Sequence, residues 1–157
     1  MTLSRFCVAA GVAMLLLAGP SACGSAGSLG PGSDAQALAE ASRRWEAAAP
    51  ASYVFTLFKS CFCPTEGPLR VTVRNGVVES AQVIGSGAQV TGAQLGWVPT
   101  IPDVFAALAY AVDLPAATFS ARYDPTWGFP VEASIDHWAQ AVDDEIGYRL
   151  SAFAPLP

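Results

Sequence analysis

Apolar residues recur with a helical period in two stretches of the chain. The first stretch, residues 33–49, places four of them on one helical face: Leu38, Ala41, Trp45 and Ala48. Ser33 or Asp34 can cap this helix. The second stretch, residues 100–113, also places four apolar residues on one face: Ile101, Phe105, Leu108 and Val112. Thr100 stands where a helix cap is expected, three positions before an aspartate. Two amphipathic helices are therefore predicted.

Alternating, β-branched and aromatic residues fill most of the remaining sequence and predict six strands. Asn75-Gly76 lies between two of them and is typical of a tight hairpin turn. Residues 84–99 are rich in glycine and polar residues and are predicted to form a long connection. The strand segments are SYVFTLFKSCF, PLRVTVRNGVVESAQV, ATFSARYD, PVEASID and EIGYRLSAF. The predicted fold class is α+β, with the order helix-βββ-helix-βββ, an antiparallel sheet and both helices on one face.

The two halves also match each other in sequence, which suggests an internal duplication. Aligning FKSCFCPTEG with FSARYDPTWG pairs several residues at an offset of about 61: Phe58 with Phe119, Phe62 with Tyr123, Pro64 with Pro125, and Gly67 with Gly128. Cys61 and Cys63 then occupy the positions that Arg122 and Asp124 occupy in the second half. The alignment predicts that a strand, a P-T-x-G turn and a second strand occur twice.

The first 22 residues have the layout of a secretory signal peptide. One basic residue, Arg5, precedes an apolar run from Val8 to Ala18, and small residues follow. The stretch LLLAGPSAC resembles a bacterial lipobox, in which the cysteine is lipidated and becomes the first mature residue. Cys23 is therefore the predicted lipidation site.

These features divide the 157 residues into a signal peptide (1–22), a lipidated Cys23 with a flexible Gly/Ser tether (23–33), and a single α+β domain (34–157).

The mature chain would carry a net charge of −6, because Arg5 leaves with the signal and seven Lys and Arg remain against 13 Asp and Glu. This acidity argues against nucleic acid as a partner. The acyl anchor, rather than surface charge, is expected to hold the protein to the membrane.

Cys61 and Cys63 are the cysteines left to pair in an oxidising compartment once Cys23 is lipidated and Cys7 is removed. A structural disulfide is the preferred interpretation. Two residues of an extended strand span about 6.6 Å between Cα atoms, so the chain must bend at Phe62 to close the bridge. A redox-active pair and half of a metal site are the alternatives. The surroundings are not typical of a thioredoxin-type C-x-x-C motif, and His137 is the single histidine.

Four acidic residues fall around one connection and form a candidate calcium site: Asp136, Asp143, Asp144 and Glu145. The regular ligand spacing of a known calcium loop is missing, and solvated turn residues are the simpler interpretation. No catalytic residue, metal or other cofactor is predicted, because no nucleophile is placed with His137 by a known motif.

Several short motifs resemble those of a family of bacterial secreted and lipoprotein domains of unknown function. They are Trp45, Y-x-F at 53–55, C-x-C-P at 61–64, N-G at 75–76, Y-D-P-x-x-G-F-P at 123–130, Asp136 and D-D-E at 143–145. The resemblance covers residues 36–153 and implies an exported α+β domain, often lipid-anchored, without an established activity. We expect an extracytoplasmic, non-enzymatic domain of the cell envelope, tethered to the membrane or otherwise secreted, that binds an envelope protein or ligand or has a structural role. The alternatives are a thiol-disulfide redox protein using Cys61 and Cys63 and an acidic cation binder.

Overall fold

The computed structural model describes residues 31–63 and 67–157. Its elements in chain order are α1 (Pro31–Ala48), β1 (Tyr53–Ser60), β2 (Leu69–Arg74), β3 (Val77–Val83), β4 (Gln89–Val90), a 3-10 helix (Gly92–Trp97), α2 (Ile101–Asp113), β5 (Thr118–Tyr123), β6 (Pro130–Asp136) and β7 (Ile146–Pro155). The predicted α+β class is confirmed. The predicted signal peptide and the predicted lipidation site, Cys23, lie outside the described residues.

The seven strands form one antiparallel sheet in the order β4-β3-β2-β1-β7-β6-β5. Strand β1 is central, and the last strand of the chain pairs along it. Residues 84–99, predicted as a connection, contain the short edge strand β4 and the 3-10 helix. Two residues of strand give almost no periodicity, so a segment as short as β4 leaves no pattern to read.

Both helices pack on one face of the sheet and enclose the core. Helix α1 contributes Leu38, Ala41 and Trp45, as its apolar pattern predicts. The sheet contributes alternate residues, which on β1 are Tyr53, Phe55 and Leu57. The rings of Trp45 and Tyr53 pack in a T-shaped arrangement with centroids 5.5 Å apart, and those of Trp45 and Phe153 do so at 5.6 Å. Such aromatic pairs each add about 0.5–1.5 kcal/mol beyond their burial.

The start of α2 is fixed by the predicted cap and by a hydrogen bond from the sheet. Thr100 Oγ1 accepts from the backbone N of Asp103, and Asp103 Oδ2 accepts from the backbone N of Thr100 at 2.8 Å. The backbone N of Ile101 donates to the hydroxyl of Tyr53 at 3.3 Å. Burial raises the pKa of the Tyr53 hydroxyl to about 12, so this group stays neutral beneath the helix.

The D-P-T-W-G-F-P motif forms a turn that docks on α1. The side chain of Asp124 accepts from the backbone N of Thr126 and Trp127 at 2.9 and 2.7 Å, which closes the turn. Gly128 has a φ of +85° and lies against α1, where an added Cβ would collide with the carbonyl oxygen of Ala41. The turn thereby places the following phenylalanine in the core. The motif is explained by packing and backbone geometry.

The residues aligned between the two halves differ in whether they face the core, so the structure does not support the predicted duplication. Phe58 and Phe62 are 37% and 84% exposed, whereas their aligned counterparts, Phe119 and Tyr123, pack against the core. Side chains alternate along a strand, and Phe58 follows the core-facing Leu57, so it points away from the helices. The two halves share an order of elements but differ in which positions are buried.

Replacing Gly128 by Ala should lower the free energy of unfolding by about 2–4 kcal/mol, because the new Cβ meets α1 in a left-handed backbone. Gly76→Ala is the matched control, since Gly76 has a φ of +79° and no atom within 4 Å of an added Cβ. It should cost only about 1 kcal/mol from backbone strain. Urea unfolding of both variants measures the difference, and equal losses would refute the close contact with α1.

Candidate functional site

Strand β1 ends in a bend that is closed by the disulfide between Cys61 and Cys63. The regular strand stops at Ser60, and the two Cα atoms lie 5.1 Å apart, shorter than two residues of extended strand would allow. Phe62, between the cysteines, points into solvent and is 84% exposed. The bridge therefore forms a local clip immediately after the central strand.

A cavity of about 360 Å³ lies beside this clip, between the sheet and the 3-10 helix. Most of its lining is apolar and comes from four separate segments: Leu57, Leu69, Val90, Trp97, Val98 and Pro99. Cys63 also lines it, so the disulfide helps to shape its wall. We name this feature the clip cavity.

Trp97 is the aromatic residue of the clip cavity. It is 70% exposed although it lines an apolar surface, whereas the next residue, Val98, is buried. Sequence reasoning missed both residues because they lie in the stretch predicted as a connection. The apolar sequence L-G-W-V within that polar stretch was the available signal.

Lys59 is the one charged side chain among the described residues that line the clip cavity. It is half-buried and shares a face of β1 with Leu57, two positions earlier. Across residues 31–63 and 67–157, no carboxylate forms an ion pair with it and no group forms a hydrogen bond with it. The ammonium group is thus available to an anion that enters the cavity.

The four predicted acidic ligands do not assemble into a cation site. Asp136, Asp143, Asp144 and Glu145 all belong to the described part of the chain, and no three His, Cys, Asp or Glu side chains there are grouped closely enough to hold a metal ion. Asp144 instead accepts a hydrogen bond from the backbone N of Trp138 at 2.8 Å and so stabilises its own loop. Asp144 is therefore explained by its loop, and Asp136 is the last residue of β6.

His137 packs edge-on against Tyr110, with ring centroids 5.7 Å apart. Tyr110 lies on α2, so this contact joins the helix to the end of β6. Neither Tyr110 nor His137 is among the described residues that line the clip cavity.

The face of the sheet away from the helices carries a charged cluster. Arg122 and Arg149 flank Glu132 from the two neighbouring strands, with N–O distances of 2.6 and 3.7 Å. Arg122 is the main cause of a lowered pKa at Glu132. Arg122 therefore pairs across the sheet, while Asp124 is used in the docking turn. Because the cluster is exposed, solvent screens it and its contribution to stability is small.

Comparison with protein families places most of the chain in one of them. Residues 37–155 match DUF6174, described as a family of unknown function. The chain belongs to this family. No curated protein and no solved structure matches the chain. In the DUF6174 chain described here, no helix within residues 31–63 and 67–157 is both long and apolar enough to cross a bilayer.

Replacing both Cys61 and Cys63 by Ser should lower the free energy of unfolding by about 1–2 kcal/mol, because a bridge that closes only three residues restrains little of the unfolded chain. Thermal or urea unfolding in the absence of reductant measures this loss. Reductant should destabilise the unmodified protein by the same amount and leave the double variant unchanged, which serves as the control. A loss several times larger would contradict a purely local clip.

Proposed function

We propose that this protein is an exported, lipid-anchored domain of the bacterial cell envelope that binds a small apolar ligand in the clip cavity and is not an enzyme. The clip cavity carries this proposal. Its volume of about 360 Å³ falls within the range of small-molecule sites, which are concave, mainly apolar and supplied with a few polar groups.

The exposure of Trp97 supports a binding role. A tryptophan that is 70% exposed at an apolar surface leaves a large area for a ligand to cover. Tryptophan is also the residue type that most often dominates binding energy at interfaces. Trp138 is comparably exposed, at 63%, but does not line the cavity, so it offers a built-in comparison.

The chemistry of the lining argues for binding rather than catalysis. Among the described residues around the cavity, the polar side chains outside the disulfide are Lys59 and Gln94. General acid–base or nucleophilic catalysis uses a base within hydrogen-bond reach of the reacting group, and among the described residues none pairs with Lys59 to form such a couple. The redox alternative would require the disulfide to open during function. A purely structural role of the bridge accounts for the position of Cys63 in the cavity wall without any opening.

The lipid anchor is tested by metabolic labelling with radioactive palmitate. The unmodified protein should be labelled, and Cys23→Ala should abolish the label, because Cys23 is the cysteine of the lipobox-like sequence. Cys7→Ala is the control and should still be labelled. Labelling that persists in Cys23→Ala would refute the anchor.

Ligand binding is tested with N-phenyl-1-naphthylamine, a neutral apolar dye that fluoresces when it leaves water. The exported chain carrying Cys23→Ser allows the titration without detergent. The dye should bind, and Trp97→Ala should weaken binding by about ten-fold or more through the loss of contact area. Trp138→Ala removes an equally exposed indole outside the cavity and should leave the affinity unchanged. Absence of binding, or equal effects of the two substitutions, would overturn the proposal.

A further inference from the structure

We infer that the clip cavity binds a fatty monocarboxylate, with the carboxylate on the ammonium group of Lys59 and the aliphatic tail against the apolar lining. The inference deepens the proposed function and rests on it, since both concern the same cavity. It adds the chemical class of the ligand.

The charge of the ligand follows from the lack of a counter-charge for Lys59 among the residues that the structure describes. An ammonium group that is half-buried against apolar walls loses part of its hydration, and no described carboxylate compensates for that loss. A ligand anion would restore the lost interaction through a charge-assisted hydrogen bond, which is stronger than one between neutral groups. A cationic ligand would be repelled. The cavity therefore selects a negative charge although the chain as a whole is acidic.

The aliphatic nature of the ligand follows from the rest of the lining. Leu57, Leu69, Val90 and Val98 offer apolar contacts but no hydrogen bonds from their side chains. A peptide entering through its C-terminus would also carry a carboxylate, but its backbone N–H and C=O groups would need partners in the cavity. Apart from Cys63, whose sulfur is held in the disulfide, Gln94 is the one neutral polar side chain among the described lining residues that could supply such partners. A hydrocarbon tail has no such requirement.

The test compares three ligands built on an unbranched ten-carbon chain as competitors of the neutral dye. At pH 8 decanoate is ionised, decanol is neutral and decyltrimethylammonium carries a fixed positive charge. Decanoate should displace the dye at a concentration at least ten-fold lower than decanol, and decyltrimethylammonium should compete most weakly. All three are used below the concentrations at which they form micelles.

A pair of charge variants assigns the preference to Lys59. Lys59→Gln should reduce the affinity for decanoate at least ten-fold and change that for decanol far less, because decanol carries no charge. Arg70→Gln removes the same charge from an exposed position on β2, whose neighbours Leu69 and Val71 face the helix side. This control should leave both affinities unchanged. Circular dichroism of each variant checks that the fold is retained.

The outcomes separate this inference from the proposed function. If the neutral dye fails to bind the unmodified protein, the proposed function fails. If the dye binds but decanoate has no advantage over decanol, or if Lys59→Gln and Arg70→Gln have equal effects, only the inference is overturned. It is also overturned if the tripeptide Ala-Leu-Leu, which ends in a free carboxylate, competes more strongly than decanoate.

Discussion

The pairing of β1 with β7 is the interaction on which the rest of the structure depends. It joins the first strand of the chain to the last and runs from Tyr53 opposite Pro155 to Ser60 opposite Gly147. Without it, the sheet would divide into β1–β4 and β5–β7, and no continuous surface would remain for the two helices to cover. The irregular register near Val54, where Ala152 has a φ of +50°, lets Phe153 reach the aromatic cluster around Trp45.

The two ends of β1 consequently have different roles. At its beginning, Tyr53 lies beneath the start of α2 and within the aromatic cluster, where the docking turn of Gly128 also packs. At its end, the strand passes Lys59 and runs into the disulfide, with the 3-10 helix rather than a long helix beside it. The same strand therefore anchors a well-packed core and presents a cavity whose apolar wall remains accessible.

The motifs singled out in the sequence divide between these ends. Y-D-P-x-x-G-F-P is explained by the turn on α1, because each of its constrained positions has a backbone or packing reason. Cys63 of the C-x-C motif lines the clip cavity, and the disulfide joins it to Cys61. D-D-E contributes to a loop, with Asp144 bonded to the backbone. A distinctive sequence motif can thus result from structural constraints alone. Most of the described residues that line the clip cavity belong to none of these motifs.

Local patterns in the sequence determined the helices, most strands, the capping box at Thr100 and the turn at Asn75-Gly76, because each depends on residues a few positions apart. Only the tertiary structure decided that β7 lies beside β1 and which face of β1 the helices cover. That choice brought Lys59 and Trp97 to one cavity across 38 positions of sequence. Periodicity in the sequence shows which side of a helix or strand is apolar. It does not show which other helix or strand packs against that side.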